Sequence, residues 1–109
     1  MVHIQNIIVG AGPAGIQMGH FFRENYLILE KNSEPCSFFR YFPRQRKLIS
    51  FNRKRNLRYD WNSFLGSDMS MRDYSDELFP HADDYLRYVH DFIKHHDVKI
   101  KYNFEVRSI

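Results

Sequence analysis

Four of the five glycines in this 109-residue chain fall between positions 10 and 19, and this cluster constrains the fold more than any other feature. A short apolar run, residues 4–9, precedes it and is stopped by glycine, which is typical of a buried strand. After the first glycines, Pro13 stands where a helix can begin, because the N–H groups of a first helical turn have no partner within the helix. The sequence therefore predicts a strand, a glycine turn and a helix over about residues 13–23.

A second apolar run, residues 26–29, follows the predicted helix and ends at Glu30. A strand, a turn, a helix and a second strand make a βαβ unit, and such units build parallel sheets. Residues 10–15, G-A-G-P-A-G, match the pattern G-x-G-x-x-G, and Glu30 lies 20 positions after the first glycine. We therefore predict an α/β fold with the Rossmann-like parallel sheet of an FAD/NAD(P)-binding domain, incomplete in this chain.

Each glycine of this motif has a physical role in a dinucleotide site. Gly10 allows a tight turn, Gly12 leaves room for a pyrophosphate beside the backbone, and Gly15 lets the helix pack closely on the strand. The N–H groups at the helix start then bind the phosphates. We expect Glu30 to accept hydrogen bonds from the adenosine ribose, and its charge to favour FAD or NAD over NADP. The alternative is a glycine turn that binds no ligand.

The rest of the chain carries weaker patterns. Residues 31–78 show no sustained period apart from a candidate strand at 47–51, and so long an irregular stretch usually belongs to a functional site. Apolar residues at spacings of three and four predict a helix over about residues 81–95. Residues 98–107 alternate strictly between apolar and polar side chains, which predicts one strand or a pair of strands with one exposed face.

Charge is distributed unevenly along the chain. Residues 35–59 hold eight basic residues and no acid, whereas residues 60–91 hold eight acids and two bases. Such blocks indicate a segment that faces an anion, a solvated basic loop, or two segments that pair in the fold. We expect no nucleic-acid partner, because a basic run of this kind is weak evidence for one.

Several classes of protein are disfavoured by what the sequence contains. The longest apolar runs are far shorter than the roughly 20 residues of a transmembrane helix, so we expect no transmembrane segment. No signal peptide is recognisable, which favours a cytoplasmic location. Cys36 is the one cysteine and is expected to be a structural or free thiol. His95 and His96 at the end of the predicted helix, with His90 earlier in it, have no cysteine or patterned acid partner, so no metal site is predicted.

The segment after the βαβ unit resembles a known family. Residues 37–50, S-F-F-R-Y-F-P-R-Q-R-K-L-I-S, resemble the pattern of flavin-containing monooxygenases, an aromatic residue followed by Tyr-Pro-x-x-Arg, with Phe42 in place of the tyrosine. Residues 56–65 and 74–80 bring the likeness closer to the FAD-dependent oxidoreductase domain-containing proteins of the endoplasmic reticulum. The resemblance covers nearly the whole chain but only the N-terminal part of such a protein.

This resemblance implies specific cofactors and residues. Residues 1–109 would be the N-terminal portion of an FAD-binding domain, with FAD as cofactor, NADPH as the electron donor of the whole protein, and the second dinucleotide-binding domain absent from this chain. Arg46 follows Pro43 at the spacing of a flavin-contacting arginine, and Asn62 is the candidate catalytic amide near the flavin ring. The candidate cofactor-binding residues are Gly10, Gly12, Pro13, Ala14, Gly15, Glu30, Lys31, Arg46 and Lys47.

Two functions of different classes stay open from the sequence. The first is the FAD-binding portion of a flavin-dependent, NAD(P)H-using oxidoreductase of the monooxygenase type. The second is a truncated, non-catalytic nucleotide-binding or interaction module, which the single glycine motif favours. In both cases we expect the 109 residues alone to lack enzyme activity.

Overall fold

The chain is described here by a computed structural model that covers residues 4–48 and 62–107. Three strands form one parallel sheet, in the order in which they occur along the chain: β1 (Asn6–Val9), β2 (Tyr26–Leu29) and β3 (Ile100–Lys101). Three α-helices accompany the sheet in the described ranges: α1 (Pro13–Phe22), α2 (Phe38–Tyr41) and α3 (Ala82–His96). A 3₁₀ turn, Met71–Asp73, precedes α3.

The predicted βαβ unit is confirmed. β1 pairs with β2 in parallel from Asn6 opposite Tyr26 to Val9 opposite Leu29, and α1 connects the two strands. β2 is the central strand, since its other edge pairs in parallel with β3. The predicted α/β fold with a parallel, Rossmann-like sheet is therefore the observed one.

Helix α1 buries Ile16, Gly19 and His20, of which Gly19 faces Tyr26 and Ile28 of β2 and His20 contacts Phe92 and His96 of α3. A Cβ atom at Gly19 would lie 2.8 Å from the Tyr26 ring and 3.0 Å from Cδ1 of Ile28, so a larger residue would push the helix away from β2. The helix ends where Arg23 adopts a positive φ of 65° and donates its N–H to the carbonyl oxygen of Gly19.

Helix α3 covers the remaining side of the core with an aromatic face. The predicted helical positions Ala82, Leu86 and Val89 are buried, and Tyr88 and Phe92 are fully buried beside them. The spacing of three and four therefore identifies the buried face correctly. The N-terminus of α3 is capped by the His81 side chain, whose Nδ1 accepts the N–H of Asp83 at 3.0 Å.

The alternation over residues 98–107 predicts a longer strand than the chain forms, so this prediction is wrong in its extent. After β3, Asn103 has a positive φ of 58° and donates its N–H to the carbonyl oxygen of Asn32 at 3.0 Å. The N–H of Phe104 bonds the carbonyl oxygen of Glu30 at 2.9 Å. These two hydrogen bonds place the segment after β3 alongside the loop after β2. The prediction failed because an alternating pattern shows that one face is exposed, and it does not show that every residue has a partner strand.

The candidate strand at 47–51 is reduced, in the described ranges, to one antiparallel bridge between Lys47 and His81. Leu48 donates its N–H to the carbonyl oxygen of Pro80 at 2.8 Å, which fixes this segment at the start of α3. Residues 49–51 lie outside the described ranges. Across residues 4–48 and 62–107, none of the helices has the length and apolar character needed to span a bilayer.

Candidate cofactor site

The turn between β1 and α1 forms the centre of the candidate site. Gly10 has a φ of +99°, a conformation that favours glycine, and its N–H bonds the carbonyl oxygen of Leu29 at 2.8 Å. The first hydrogen bond of α1 runs from the N–H of Ile16 to the carbonyl oxygen of Gly12. The N–H groups of Ala14 and Gly15 therefore precede the helical bonding pattern, as an anion site at a helix N-terminus requires.

The second and third glycines of the motif have different surroundings. A Cβ atom at Gly15 would collide with the carbonyl oxygen of Gly10 and come within 3.4 Å of the Ile8 side chain. A Cβ atom at Gly12 would meet nothing within 4 Å. Gly15 therefore serves the close packing of α1 on β1, whereas Gly12 borders open space in front of the helix.

Glu30 lies at the carboxyl end of β2 and is only 7% exposed. Its Oε1 accepts the N–H of Ala11 and its Oε2 accepts the N–H of Asn32, both at 2.8 Å. The carboxylate thus joins the glycine turn to the loop after β2. This structural role leaves no signal in the sequence, because both donors are backbone groups that form no side-chain pattern. Each oxygen keeps a lone pair for a further donor, such as a ribose hydroxyl.

These elements line one cleft of about 430 Å³ at the carboxyl ends of β1 and β2, where ligands bind in open parallel sheets. The predicted residues that the structure brings together there are Gly10, Gly12, Pro13, Glu30 and Lys31. The opposite walls come from the loop after β2, from α2 and from the segment after β3: Asn32, Cys36, Ser37, Phe38, Phe39, Phe104, Glu105 and Val106. We call this space the first cleft.

Cys36 lies in the wall of the first cleft and is buried. Its N–H bonds the carbonyl oxygen of Ala11 at 2.8 Å, so it helps to hold the glycine turn. Burial, together with the nearby charge of Glu30, raises the pKa of the thiol to about 12. The thiol is therefore protonated at neutral pH, which agrees with the structural role expected from the sequence.

A second cleft, of about 360 Å³, adjoins the first at Pro13 and Phe39. Asn62, the candidate catalytic amide, lines this second cleft and is 8% exposed. The other lining residues come from α1, α3 and the loops between them: Ala14, Gln17, Leu48, Ser63, Phe64 and Tyr85. The start of α1, which carries predicted phosphate-binding residues, therefore borders both clefts.

The structure does not bring Arg46 and Lys47 into the lining of either cleft. Arg46 forms an ion pair with Asp83 at 2.6 Å, and Lys47 forms one with Glu77 at 2.9 Å. The hydrogen bond from Arg46 lowers the pKa of the Asp83 carboxyl. Within the described residues, ion pairs at Arg46 and Lys47 thus join the basic segment, residues 35–59, to the acidic segment, residues 60–91. The contact of Arg46 and Lys47 with a cofactor stays a prediction.

None of the histidines in the described part of the chain lines either cleft. The rings of His20 and His96 are 4.5 Å apart between centroids, and burial together with the nearby His20 lowers the pKa of His96. Within residues 4–48 and 62–107, the His, Cys, Asp and Glu side chains form no group of three that could hold a metal ion.

Comparison with known proteins identifies the family. The family described as pyridine nucleotide-disulphide oxidoreductase matches residues 7–109. The chain belongs to this family of FAD-dependent oxidoreductases. It is 44% identical to the FAD-dependent oxidoreductase domain-containing protein 2 of Danio rerio, over 94% of this chain and 17% of that protein. It is 39% identical to the Mus musculus protein of the same name, over 98% of this chain and 18% of that protein.

The chain therefore spans less than a fifth of the length of these curated relatives. Two solved structures share its fold. The bacillithiol disulfide reductase Bdr (YpdA) from Staphylococcus aureus matches with a TM-score of 0.66 and 22% identity, over 94% of this chain and 29% of that chain. The Bacillus cereus enzyme of the same name matches with a TM-score of 0.67 and 17% identity, over 90% of this chain and 28% of that chain. The resemblance drawn from the sequence to FAD-dependent oxidoreductase domain-containing proteins is thus confirmed.

Proposed function

We propose that this chain is the N-terminal portion of the FAD-binding domain of an oxidoreductase that takes electrons from NAD(P)H. The observation that carries the proposal is the open space beside Gly12 at the start of α1, in the same cleft as the Glu30 carboxylate. A pyrophosphate needs close approach to backbone N–H groups, and an adenosine ribose needs a hydrogen-bond acceptor nearby. Both requirements are met within one cleft.

We assign the residues of the two clefts to successive parts of FAD. In this proposal the N–H groups at the start of α1 bind the pyrophosphate, and Glu30 accepts hydrogen bonds from the ribose. Lys31 adds positive charge at the same cleft, and Phe104 offers apolar surface for the adenine. The second cleft, which adjoins the first at the start of α1, would then hold the flavin ring beside Asn62.

The chemistry of such a site belongs to the cofactor, since bound FAD accepts a hydride from a nicotinamide and passes electrons to oxygen or another acceptor. The chain's own residues bind, orient and shield it. Phe64 and Tyr85 line the second cleft with aromatic surface, which limits the access of water. The Asn62 side chain offers an amide donor and acceptor there. We further propose the monooxygenase type of reaction, on the strength of the sequence resemblance over residues 37–50.

The proposal is tested by titrating the full-length protein with FAD, ADP and FMN and then adding NADH or NADPH without oxygen. We expect FAD and ADP to bind and FMN to bind far more weakly, because FMN lacks the adenosine and the pyrophosphate. We expect the flavin absorption band, at about 450 nm, to bleach on addition of the nicotinamide. Nucleotide binding without any flavin reduction would favour the non-catalytic module. If the protein binds neither FAD nor ADP, both the oxidoreductase and the nucleotide-binding module are refuted, and only an interaction module is left.

A further inference from the structure

The loop of residues 62–67 follows no helix or strand pattern, yet it forms a wall of the second cleft. One side chain of α1, Gln17, forms two hydrogen bonds with the backbone of this loop. Oε1 of Gln17 accepts the N–H of Leu65 at 2.7 Å, and Nε2 of Gln17 donates to the carbonyl oxygen of Leu65 at 3.1 Å. A primary amide satisfies one residue's donor and acceptor together in this geometry.

Other side chains bond the neighbouring residues of the same loop. The N–H of Phe64 donates to the hydroxyl of Tyr88 on α3 at 2.9 Å. Nε2 of His20, three residues after Gln17 on α1, donates to the carbonyl oxygen of Gly66 at 2.8 Å. The loop is thus held between two helices by side chains and not by a sheet.

The position of Gln17 on α1 relates it to the cofactor site. Gln17 lies four residues after Pro13, so the two residues share one face of the helix. Pro13 lines both clefts, whereas Gln17 lines the second cleft together with Asn62. Gln17 does not line the first cleft, where Glu30 and Lys31 lie. A change at Gln17 therefore acts on the flavin end of the proposed site and not on the adenosine end.

We propose that Gln17 is a positioning residue for the flavin end of the cofactor. Its amide holds the loop of residues 62–67 against α1, and this keeps Asn62 and Phe64 at the wall of the second cleft. The inference rests on the proposed function, since it assigns the flavin ring to that cleft. It predicts that binding of the whole cofactor depends on Gln17 and that binding of its adenosine half does not.

The test substitutes Gln17→Met, which keeps the length and apolar stem of the side chain and removes both hydrogen bonds. Gln45→Met is the matched control, because Gln45 is an exposed glutamine outside both clefts. The full-length variants are titrated separately with FAD and with ADP, and the visible spectrum of the flavin is recorded at saturating FAD. We expect Gln17→Met to weaken FAD binding by about tenfold, from the loss of two exposed hydrogen bonds, with ADP affinity and the control unchanged.

A second variant approaches the loop from α3. Tyr88→Phe keeps the ring that packs on Phe64 and removes the acceptor of the Phe64 N–H. We expect it to lower FAD affinity more than ADP affinity and, like Gln17→Met, to shift the flavin band at saturation. A purely structural role would lower both affinities together and leave the saturated spectrum unchanged.

The outcomes separate the two proposals. If the unmodified protein binds neither FAD nor ADP, the proposed function fails and this inference fails with it. If it binds both, and Gln17→Met leaves FAD affinity unchanged or lowers FAD and ADP affinity equally, the positioning role is refuted while the proposed function stands. A loss confined to FAD, with a shifted flavin band, supports the positioning role.

Discussion

Substitution of Gly12 should reduce cofactor binding, whereas substitution of Gly15 should reduce folding stability, although only three positions separate the two glycines. Gly12 has a φ of −79°, which any residue adopts, and its Cβ would meet nothing within 4 Å. Valine is less favourable than glycine at a helix N-cap by about 1 kcal/mol. The loss of glycine's freedom in the unfolded chain offsets this by about 0.4–1 kcal/mol. We therefore expect Gly12→Val to change the free energy of unfolding by less than about 1 kcal/mol.

The same variant should abolish cofactor binding. The added side chain fills the space that a pyrophosphate needs beside the start of α1. Loss of two hydrogen bonds to a charged group removes about 1.5–3 kcal/mol each, and every 1.4 kcal/mol is about tenfold in affinity. We expect FAD affinity to fall more than about a hundredfold.

Gly15→Ala should instead destabilise the fold. Its Cβ would collide with the carbonyl oxygen of Gly10, a backbone atom that moves only if the turn or α1 moves. Overpacking of this kind costs about 1–3 kcal/mol, against roughly 1 kcal/mol gained from alanine in a helix. Because the collision is with a backbone atom, the upper part of this range applies, and we expect a net destabilisation of about 1–2 kcal/mol.

Two measurements on each variant test these expectations. Urea unfolding, monitored by circular dichroism, gives the free energy of unfolding, and titration with FAD gives the affinity for the cofactor. Because the two glycines lie in one motif, each variant is the control of the other. The reasoning is refuted if Gly12→Val binds FAD with an affinity close to that of the unmodified protein. It is also refuted if Gly15→Ala unfolds at the same urea concentration as the unmodified protein.

Three further predictions follow from single side chains. Glu30→Ala should lower the free energy of unfolding by about 3 kcal/mol, through the loss of two charge-assisted hydrogen bonds. The matched variant of the exposed Glu24 should leave stability unchanged in urea titrations, and an equal effect of the two changes would contradict the role given to Glu30. Cys36, with a pKa raised to about 12, should resist iodoacetamide at pH 8 and react once the protein is denatured, and mass spectrometry that finds native-state labelling would argue against this. Burial and the nearby His20 lower the pKa of His96, so the His96 ring binds a proton more readily in the unfolded chain than in the folded one. The free energy of unfolding should therefore fall as the pH drops below the ordinary value of 6.5, and it should fall less steeply in His96→Asn. Parallel plots of stability against pH for the two proteins would count against this prediction.

The local elements were predictable because their patterns lie within short stretches of chain. The glycines, Pro13 and the apolar run before Glu30 define a βαβ unit by spacing alone, and the structure has β1, α1 and β2 at those positions. Helix α3 was equally accessible, since a buried face recurs every three or four residues along one segment. The alternation after residue 98 was misleading, because it reports exposure of one face and does not reveal whether a neighbouring strand extends as far.

The sequence by itself determined the fold class and the glycine turn before α1, because these depend on residue types at fixed local spacing. Only the tertiary structure decided how distant groups are partnered. It engages both oxygens of Glu30 with backbone N–H groups, pairs Arg46 with Asp83, and ties Gln17 to Leu65. These contacts join residues up to 48 positions apart, and several of them use backbone groups that every residue carries. No local pattern distinguishes such partners, since their meeting depends on how helices and loops pack around the sheet.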